Sequence, residues 1–423
     1  MTLCLSYGTI GKNRLFLTKK ERTMQKTKIS IIFAVFILLI AVVGYIQLQN
    51  QLDDNTSTSD SETEVIEEES IPEPIVSRAS IAGVGDVLLH GSIYRDAQDG
   101  DTYHFDDMFT HVKPYLEQAD ITLANQESMI GGEELGLSTY PQFNSPYEIG
   151  DTLKRSGVDI VSIANNHTLD RGEEAIMNAL NHWDKIGMPY VGAYRSEDDR
   201  ATIRTIEKNG ITFSFLAYTY GTNGIPVPEG KPYLVNLIDE EKIVADIREA
   251  KQHSDVIVVS LHFGNEYERM PNEQQTKLAQ LIADAGAHII FGHHPHVLQP
   301  VDFIQSEEGH ETFVAYSLGN FLAAQEAKHD HYRRIGGIVQ VEVEKTEFDG
   351  ETTIRVHSPS FLATYIHFRN WSQYRILPMY ELTDNELSNA SERYEETKEH
   401  VQQFVPDLQF IEEEPNMSEH ASE

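Results

Sequence analysis

The sequence contains a single cysteine, Cys4, among its 423 residues. One thiol excludes both a disulfide framework and a zinc site built from cysteines. Positive charge is also scarce: 33 Lys and Arg residues face 67 Asp and Glu residues, which gives a formal net charge of −34. Because proteins that bind nucleic acids carry a basic surface, this balance excludes a nucleic acid as a partner. The hydrophobic content of 40% and the charged content of 24% indicate a globular protein of one large or two small domains.

Long hydrophobic runs are absent except for one, Ile29–Ile46, which has eighteen residues and no charge. That length lies within the range of one membrane-spanning helix. Basic residues precede the run and acidic residues follow it, so the positive-inside rule predicts a cytoplasmic basic N-terminus over residues 1–28 and an extracytoplasmic main domain. No small-residue cleavage site follows, so we expect an uncleaved, single-pass signal anchor in a bacterial cell membrane, with residues 29–46 in the lipid bilayer. An alternative start of translation lies at Met24, where a conventional basic n-region begins.

Composition divides the rest of the chain into three parts. Residues 51–77 are polar and acidic without any basic residue, which predicts a disordered linker. From residue 78 to residue 380, short β-rich apolar runs alternate with helical stretches, which predicts an α/β domain whose sheet is covered on both faces. Residues 381–423 are rich in glutamate and weakly helical, which predicts a peripheral or mobile acidic tail.

The pattern within the α/β domain predicts individual strands and helices. The predicted strands are Ser80–Val84, Ile121–Ala124, Ile160–Ala164, Ile211–Ala217, Val256–Leu261, Ile289–Phe291 and Thr312–Tyr316. The predicted helices are Phe105–Gln118, Glu173–Ile186, Glu240–His253 and Asn272–Ala285. Two later segments, Gly337–Glu344 and Thr353–His357, are predicted to close the sheet as antiparallel strands.

Five polar clusters follow predicted strands. They are Asp86 with His90; Asn125 with Glu127; Asn165, Asn166, His167 and Asp170; His262, Glu266 and Tyr267; and His293, His294 and His296. Open α/β sheets bind their ligands just beyond the carboxyl ends of strands, so these positions point to a functional site. Taken alone, the first cluster is also typical of a turn, the second of a helix cap, and the third of a capped helix start with a surface histidine. Three imidazoles within four positions are typical of a metal-binding tract.

Carboxylate and amide oxygens together with imidazole nitrogens, without sulfur, suit divalent Mn, Fe or Zn ions. A carboxylate shared between two such ions would let them bind and deprotonate a bridging water, and the pair would clamp the attacking and leaving oxygens of an ester displacement. A nearby imidazole can protonate the leaving group. The sequence therefore predicts one or two divalent metal ions as cofactors.

The order and spacing of six motifs over residues 79–365 resemble one family, the poly-γ-glutamate capsule biosynthesis proteins (CapA/PgsA type) of the calcineurin-like metallophosphoesterase superfamily. The motifs are Gly85-Asp86, Asn125-Gln126-Glu127, Asn165–Gly172, His262–Tyr267, Gly292–His296 and Ser317–Phe321. The resemblance implies a four-layer metallophosphoesterase-like sandwich of mixed sheets flanked by helices, preceded here by one N-terminal transmembrane helix.

The resemblance also implies roles for individual residues. The implied metal ligands are Asp86, Glu127 as the bridging carboxylate, Asn166, His262, His294 and His296. The implied catalytic residues are His167, as general acid, and Asp170. Possible further site residues are His90, Asn125, Asn165, Glu266, Tyr267, His293 and Asn320.

Two positions depart from the superfamily pattern. The usual Asp-x-His opening is reduced to Asp86 with the more distant His90, and Glu127 replaces the bridging aspartate.

The leading hypothesis is an anchored, extracytoplasmic metal-dependent hydrolase that acts in the synthesis, export or tethering of poly-γ-glutamate or a related anionic envelope polymer. The reduced ligand set favours an alternative, a non-catalytic partner of membrane-embedded synthase subunits. A third hypothesis is a general phosphatase of the cell envelope.

Overall fold

The computed structural model describes residues 73–325 and 331–415. The predicted cytoplasmic N-terminus, the membrane anchor and most of the linker lie outside these ranges. Within them, no helix is both long enough and apolar enough to span a bilayer.

The described residues form seventeen strands. They are β1 (Ile75–Leu88), β2 (Gln98–Asp99), β3 (Thr102–Tyr103), β4 (Ile121–Gln126), β5 (Ile160–Ser162), β6 (Tyr190–Val191), β7 (Arg204–Lys208), β8 (Ile211–Thr219), β9 (Val256–His262), β10 (Ile289–His293), β11 (Val301–Gln305), β12 (Glu311–Ala315), β13 (Asn320–Ala323), β14 (Ile335–Phe348), β15 (Glu351–Arg369), β16 (Ser372–Pro378) and β17 (Gln409–Phe410).

The α-helices of the described ranges number nine. They are α1 (Gly91–Asp96), α2 (Asp106–Phe109), α3 (Lys113–Gln118), α4 (Glu148–Arg155), α5 (Gly172–Ile186), α6 (Glu197–Ala201), α7 (Glu240–Ala250), α8 (Glu273–Ala285) and α9 (Ala390–Val401). Helix α8 begins with a capping box, in which the Asn272 side chain accepts from the Gln275 backbone and the Gln275 side chain accepts from the Asn272 backbone.

The strands assemble into two mixed sheets and a small hairpin. The larger sheet has the order β16-β15-β14-β1-β4-β5-β6, with β13 paired to β1 and β17 paired to β15. Its β1, β4, β5 and β6 are parallel neighbours, whereas β14 to β16 are antiparallel. The smaller sheet has the order β11-β12-β10-β9-β8-β7, parallel in the centre and antiparallel at both edges. The prediction of an α/β fold with mixed sheets is confirmed.

Three hydrophobic clusters separate four layers of secondary structure in the described part of the chain. The first cluster lies between the larger sheet and helices α1 to α5, with Trp183 fully buried. The second lies between the two sheets, where Gly83 of β1 leaves room for the Phe291 ring of β10. The third lies between the smaller sheet and helices α7 and α8, through side chains such as Ile247 and Ile282. The order is therefore helices, sheet, sheet, helices.

One predicted helix, Phe105–Gln118, is wrong as a continuous element. The structure divides it into α2 and α3, with Thr110–Val112 between them. Pro114 lies in the first turn of α3. Proline is tolerated there because the first N–H groups of a helix have no intrahelical partner, but in a helix interior it removes a hydrogen bond and clashes with the preceding turn.

Both predicted flanks of the domain begin or end differently in the structure. Strand β1 starts at Ile75, inside the predicted linker, and pairs with β14 from its first residue. At the other end, residues 382–410 are not a mobile tail, because α9 and β17 continue the fold through residue 410. Tyr394 and Val401 of α9 are buried in the cluster between the sheets. Burial of these apolar side chains holds the acidic segment against the domain.

Close packing leaves no room for a side chain at Gly292. A Cβ added to Gly292 of β10 would lie 2.1 Å from the backbone oxygen of Tyr316. Gly292→Ala is therefore expected to lower the free energy of unfolding by roughly 3 kcal/mol or more, since backbone must move. Urea denaturation of the purified chain measures this. Gly221→Ala is the control, because a Cβ there meets nothing within 4 Å, and equal stability of the two variants would contradict the expectation.

Candidate functional site

Strand pairing brings polar residues of both sheets to one edge of the molecule. In the larger sheet, Asp86 near the end of β1 is the neighbour of Asn125 in β4. In the smaller sheet, His262 and His293, the last residues of β9 and β10, are neighbours. The Nδ2 atom of Asn125 lies 3.3 Å from Nδ1 of His262, so the two edges meet. The carboxyl ends of the strands therefore form one site.

Glu127 is the most unusual group of this site. Its side chain is completely buried, and neither carboxylate oxygen has a hydrogen-bond partner. Burial raises the pKa of Glu127 well above its usual range. Its Oε1 atom lies 3.6 Å from Nε2 of His262 and 3.7 Å from Nε2 of His296. A buried carboxylate facing imidazoles without a hydrogen bond is costly unless a cation completes it.

Asp86 is buried too, but its oxygens are well partnered. Oδ1 accepts a hydrogen bond from Asn125 Nδ2 at 2.8 Å, and Oδ2 lies 3.1 Å from His296 Nδ1. His293 Nδ1 lies 3.5 Å from Oδ1. Burial alone would raise the pKa of Asp86, but the contacts with His293 and His296 hold it well below the usual range. The carboxylate is therefore ionised within the cluster.

The histidine tract after β10 turns back into the site through an unusual backbone. His294 has φ 96° and His296 has φ 58°, both in the left-handed region. Such conformations are rare for residues with a side chain and concentrate at functional sites. Ligand atoms of Glu127, His294 and His296 lie within 4.8 Å of one another. His293 lies beside Asp86 with neither ring nitrogen hydrogen-bonded, so all three histidines reach the cluster.

His294 and His296 differ in protonation because their surroundings differ. Burial alone would lower the pKa of His296, but the carboxylates of Glu127 and Asp86 raise it to about 9. Burial, reinforced by the charge of His296, lowers the pKa of His294 to about 3. His296 donates through Nδ1 to Asn320 Oδ1 at 3.0 Å, which leaves Nε2 directed toward Glu127. Without a metal ion, one protonated imidazole thus balances the buried acids.

Asn166 and His262 link the clusters that follow β5 and β9. The Oδ1 atom of Asn166 lies 3.0 Å from Nε2 of His262. The His262 ring is 4.9 Å from the His294 ring, centroid to centroid. Burial lowers the pKa of His262 well below its usual range, so its imidazole is neutral and available as a ligand.

His167 and Asp170 form a hydrogen-bonded pair beside the cluster. Nδ1 of His167 donates to Oδ2 of Asp170 at 2.6 Å, which leaves Nε2 as the ring nitrogen available to a ligand. Asp170 Oδ2 also accepts from the backbone N–H of Phe143 at 2.7 Å. Asn165 Oδ1 accepts from the His167 backbone N–H at 3.0 Å. Both the orientation and the tautomer of His167 are therefore fixed by neighbours.

His90 does not join the cluster as a donor. Its Nδ1 atom contacts the backbone oxygen of Leu88 at 3.1 Å and the N–H of Ala324 at 3.3 Å. Phe143 lies between the His90 and His167 rings, at 5.2 Å and 4.7 Å from them. Burial lowers the pKa of His90 to about 4, which keeps the ring neutral. Backbone atoms therefore hold the His90 ring through Nδ1.

Glu266 and Tyr267 lie at the rim. Glu266 is exposed. The half-buried Tyr267 ring is 6.2 Å from the His296 ring, and the Arg333 guanidinium carbon lies 3.4 Å from the Tyr267 ring centroid. The Arg333 backbone oxygen accepts from Asn320 Nδ2 at 2.8 Å, so the rim and the buried His296 are connected.

Two residues of the site were missed at the level of sequence. Tyr220 follows β8, is 48% exposed, and places its ring 4.6 Å from the His294 ring. Asn223 contacts both Asn166 and His167 at 3.4 Å. Both follow the carboxyl end of a parallel strand, which is the signal that identified the other clusters. Extending the predicted strand from Ala217 to its observed end at Thr219 would have pointed to them.

The donor set fits a divalent metal ion. Buried atoms without a hydrogen-bond partner include both Glu127 oxygens, Asn125 Oδ1, His294 Nδ1 and both His293 nitrogens. Buried polar groups are normally satisfied, so this concentration of unsatisfied ligand atoms in one place calls for a bound cation. Oxygen and imidazole ligands without thiolate suit Mn, Fe or Zn.

Curated relatives were found by sequence comparison. The chain is 31% identical over 252 residues to the PGA biosynthesis protein CapA of Bacillus subtilis (strain 168), covering 58% of this chain and 63% of that protein. It is 29% identical over 253 residues to the capsule biosynthesis protein CapA of Bacillus anthracis, covering 57% of this chain and 59% of that protein. The matched region thus spans less than two thirds of either relative.

The comparison with solved structures finds weaker similarity. A putative 5'-nucleotidase from Staphylococcus aureus aligns with a TM-score of 0.39 at 16% identity, covering 75% of this chain and 58% of that one. The sulfate thiohydrolase SoxB of Thermus thermophilus aligns with a TM-score of 0.34 at 14% identity, covering 65% of this chain and 43% of that one.

The model of one protein family matches residues 80–325, which is more than half of the chain. The matched region includes all five polar clusters and the donor residues described above. The resemblance to capsule biosynthesis proteins is thereby confirmed, while the wider superfamily assignment stays a prediction. The chain belongs to the family of bacterial capsule synthesis proteins, PGA_cap.

Proposed function

We propose that this protein is a metal-dependent hydrolase that acts on an anionic capsule polymer of the poly-γ-glutamate kind. The observation that carries the proposal is the buried Glu127 carboxylate, which faces two imidazoles and has no hydrogen-bond partner. A structural core would fill this position with an apolar side chain, because an unsatisfied buried acid only destabilises the fold. The family of the chain supports the choice of a capsule polymer as substrate.

Asp86, Glu127, Asn166, His262, His294 and His296 would hold one or two divalent ions, with His293 and Asn125 beside them. Bound there, such an ion would supply Lewis acidity and a water of lowered pKa. The chain's own contribution is the fixed orientation of these donors, since each backbone segment is held at a strand end. Asn320 directs His296 toward Glu127 through the hydrogen bond to Nδ1.

His167 would act as the general acid. Asp170 holds Nδ1 of the ring at 2.6 Å, so Nε2 is the atom that would carry a proton to the leaving group. Asn165 fixes the backbone of His167, and Asn223 lies 3.4 Å from its ring. The acid, its orienting carboxylate and the donor cluster are thus joined by a continuous set of contacts.

The proposal includes the cellular setting expected from the sequence. Residues 29–46 would anchor the protein in the lipid bilayer of the cell membrane, with the described domain outside the cytoplasm. In that position it would meet the polymer as it emerges from membrane-embedded synthase subunits. The basic residues before the apolar run and the acidic residues after it support this orientation.

A second candidate function is a non-catalytic subunit of a polyglutamate synthase complex. One observation at the first polar cluster, that of Asp86 and His90, favours this function. Leu88 stands two residues after Asp86, where the superfamily pattern has a ligand histidine, and His90 is held by backbone atoms instead. Fewer ligands would bind the first metal ion more weakly.

An assay of polymer cleavage distinguishes these functions. The purified full chain is stripped with a chelator, reloaded with Mn²⁺, Fe²⁺ or Zn²⁺, and incubated with poly-γ-glutamate or with a chromogenic phosphodiester. We expect the polymer to shorten, by size-exclusion chromatography, only after metal is restored. A metal-loaded chain that leaves both compounds intact would overturn the hydrolase proposal in favour of the non-catalytic subunit. Cleavage of the phosphodiester alone would replace it with the envelope phosphatase.

A further inference from the structure

Two cavities are lined by residues of the donor cluster and its surroundings. The first, here the His294 cavity, has a volume of about 690 Å³ and is lined by His294 and Tyr220 together with residues of the β9–α8 connection and α8. The second, here the His167 cavity, has a volume of about 420 Å³ and is lined by His167, Asp170 and Asn166 together with residues 140–142. Both volumes lie within the range of ligand-binding pockets.

Two residues relate the cavities to each other. Glu266 lines both of them. Tyr220 lines the His294 cavity and stacks on the His262 ring at 6.4 Å, centroid to centroid, whereas Asn166 lines the His167 cavity. The Asn166 oxygen in turn contacts His262 at 3.0 Å. A ligand that filled both cavities would therefore pass over the donor cluster, with the general acid on one side and His294 on the other.

The charges of the cavity walls determine which groups of such a ligand can face them. Glu240, Glu266 and Lys277 line the His294 cavity, which makes its ionisable lining acidic by one charge. Asp170 and Glu266 line the His167 cavity, where Asp170 is paired with His167. Carboxylates of a polyanion would be repelled from these walls. They would face solvent, while the chain itself lies inward.

Amide side chains line both cavities. Gln142 and Asn223 line the His167 cavity, and Asn265 and Gln274 line the His294 cavity. Each amide side chain both donates and accepts hydrogen bonds, so it matches the N–H and C=O groups of an amide-linked backbone. The cavity linings therefore suit a chain recognised through its amides rather than through its charges.

We propose that the cleft binds an internal segment of an extended, amide-linked polyanion, with one stretch of the polymer in the His294 cavity and the next stretch in the His167 cavity. This inference rests on the proposed function for the identity of the polymer and goes further in assigning the binding mode. The chain crosses the donor cluster, its carboxylates point outward, and bond cleavage takes place inside the polymer rather than at its end. The leaving segment occupies the His167 cavity, next to the general acid.

The binding mode is tested with oligomers of different length. Fluorescein-labelled γ-linked glutamate oligomers of two and of twenty units are titrated with the purified full chain, in the metal buffer of the cleavage assay. All variants carry His167→Ala so that the probe is not consumed. The twenty-unit oligomer is expected to bind at least about tenfold more tightly than the dimer, since it engages both cavities at once. Fluorescence anisotropy measures the dissociation constants.

A matched set of glutamine variants locates the contacts. Gln142 and Gln274 are exposed at the two cavities, and Gln252 is exposed elsewhere. Gln142→Trp and Gln274→Trp each fill one cavity and are expected to weaken binding of the long oligomer about tenfold, whereas Gln252→Trp leaves it unchanged. If either cavity variant binds the long oligomer as Gln252→Trp does, the spanning mode is wrong. Loss of binding in both variants without any polymer cleavage by the metal-loaded wild type supports the binding mode and overturns only the hydrolase proposal.

Discussion

Replacing His167 with alanine is expected to lower metal-dependent cleavage of the polymer at least about a hundredfold, the usual contribution of a positioned general acid. The metal content should stay as in the wild type, because the His167 ring is hydrogen-bonded to Asp170 and is not one of the proposed ligands. Rates from size-exclusion chromatography and metal content from plasma mass spectrometry measure the two effects on the same sample.

The matched control is His253→Ala, since the His253 side chain is exposed and contacts Glu249, four residues earlier, rather than the site. Its cleavage rate should equal that of the wild type. If His167→Ala cleaves the polymer at the wild-type rate, His167 is not the acid. If it loses metal along with activity, His167 is a ligand or supports one, and the assigned role is wrong.

The second large effect is expected from Glu127→Gln. Metal at a hundred times its dissociation constant would stabilise the wild type by about 2.7 kcal/mol. For a domain of this size, that is a rise in melting temperature of roughly 5 °C. Glutamine keeps the shape of the side chain but removes the negative charge that attracts the ion. The variant should therefore lose the metal-induced rise, and thermal unfolding with and without metal measures it.

Without metal, the same variant should melt within a degree or two of the wild type. The reason is that glutamine keeps the shape of the side chain, while burial raises the pKa of Glu127 and so already disfavours its charge when no metal ion is bound. Glu241→Gln, at an exposed position on α7, is the control and should keep the full metal-induced rise. A Glu127→Gln variant that is stabilised by metal as strongly as this control would show that Glu127 is not a ligand.

The sequence was sufficient to find the strands that position the site. Segments such as Val256–Leu261 and Ile289–Phe291 are buried on both faces. Their unbroken runs of β-branched and aromatic residues therefore identify them as strands from the sequence alone. Because ligands bind at the carboxyl ends of such strands, the residues following them could be grouped into one site. The structure adds the finding that these residues lie close together in space.

Other features depended on tertiary contacts. The resemblance favours His294 and His296 over His293 as ligands, but the direction of each ring depends on the left-handed backbone at His294 and His296, which the sequence does not reveal. Leu387, Ala390, Tyr394 and Val401 bury one face of the predicted tail. Their spacing of three, four and seven residues is helical, but the acidic residues between them concealed it.

Metal binding by the purified chain is the most direct test of the account. Isothermal titration of the chelator-stripped chain with Mn²⁺, Fe²⁺ and Zn²⁺, with plasma mass spectrometry of the same samples, gives affinity and stoichiometry. At least one of these ions is expected to bind at one or two per chain, and Asp86→Asn combined with His294→Ala is expected to abolish this binding. A folded wild type that takes up none of the three, or a double variant that binds as the wild type does, would contradict it.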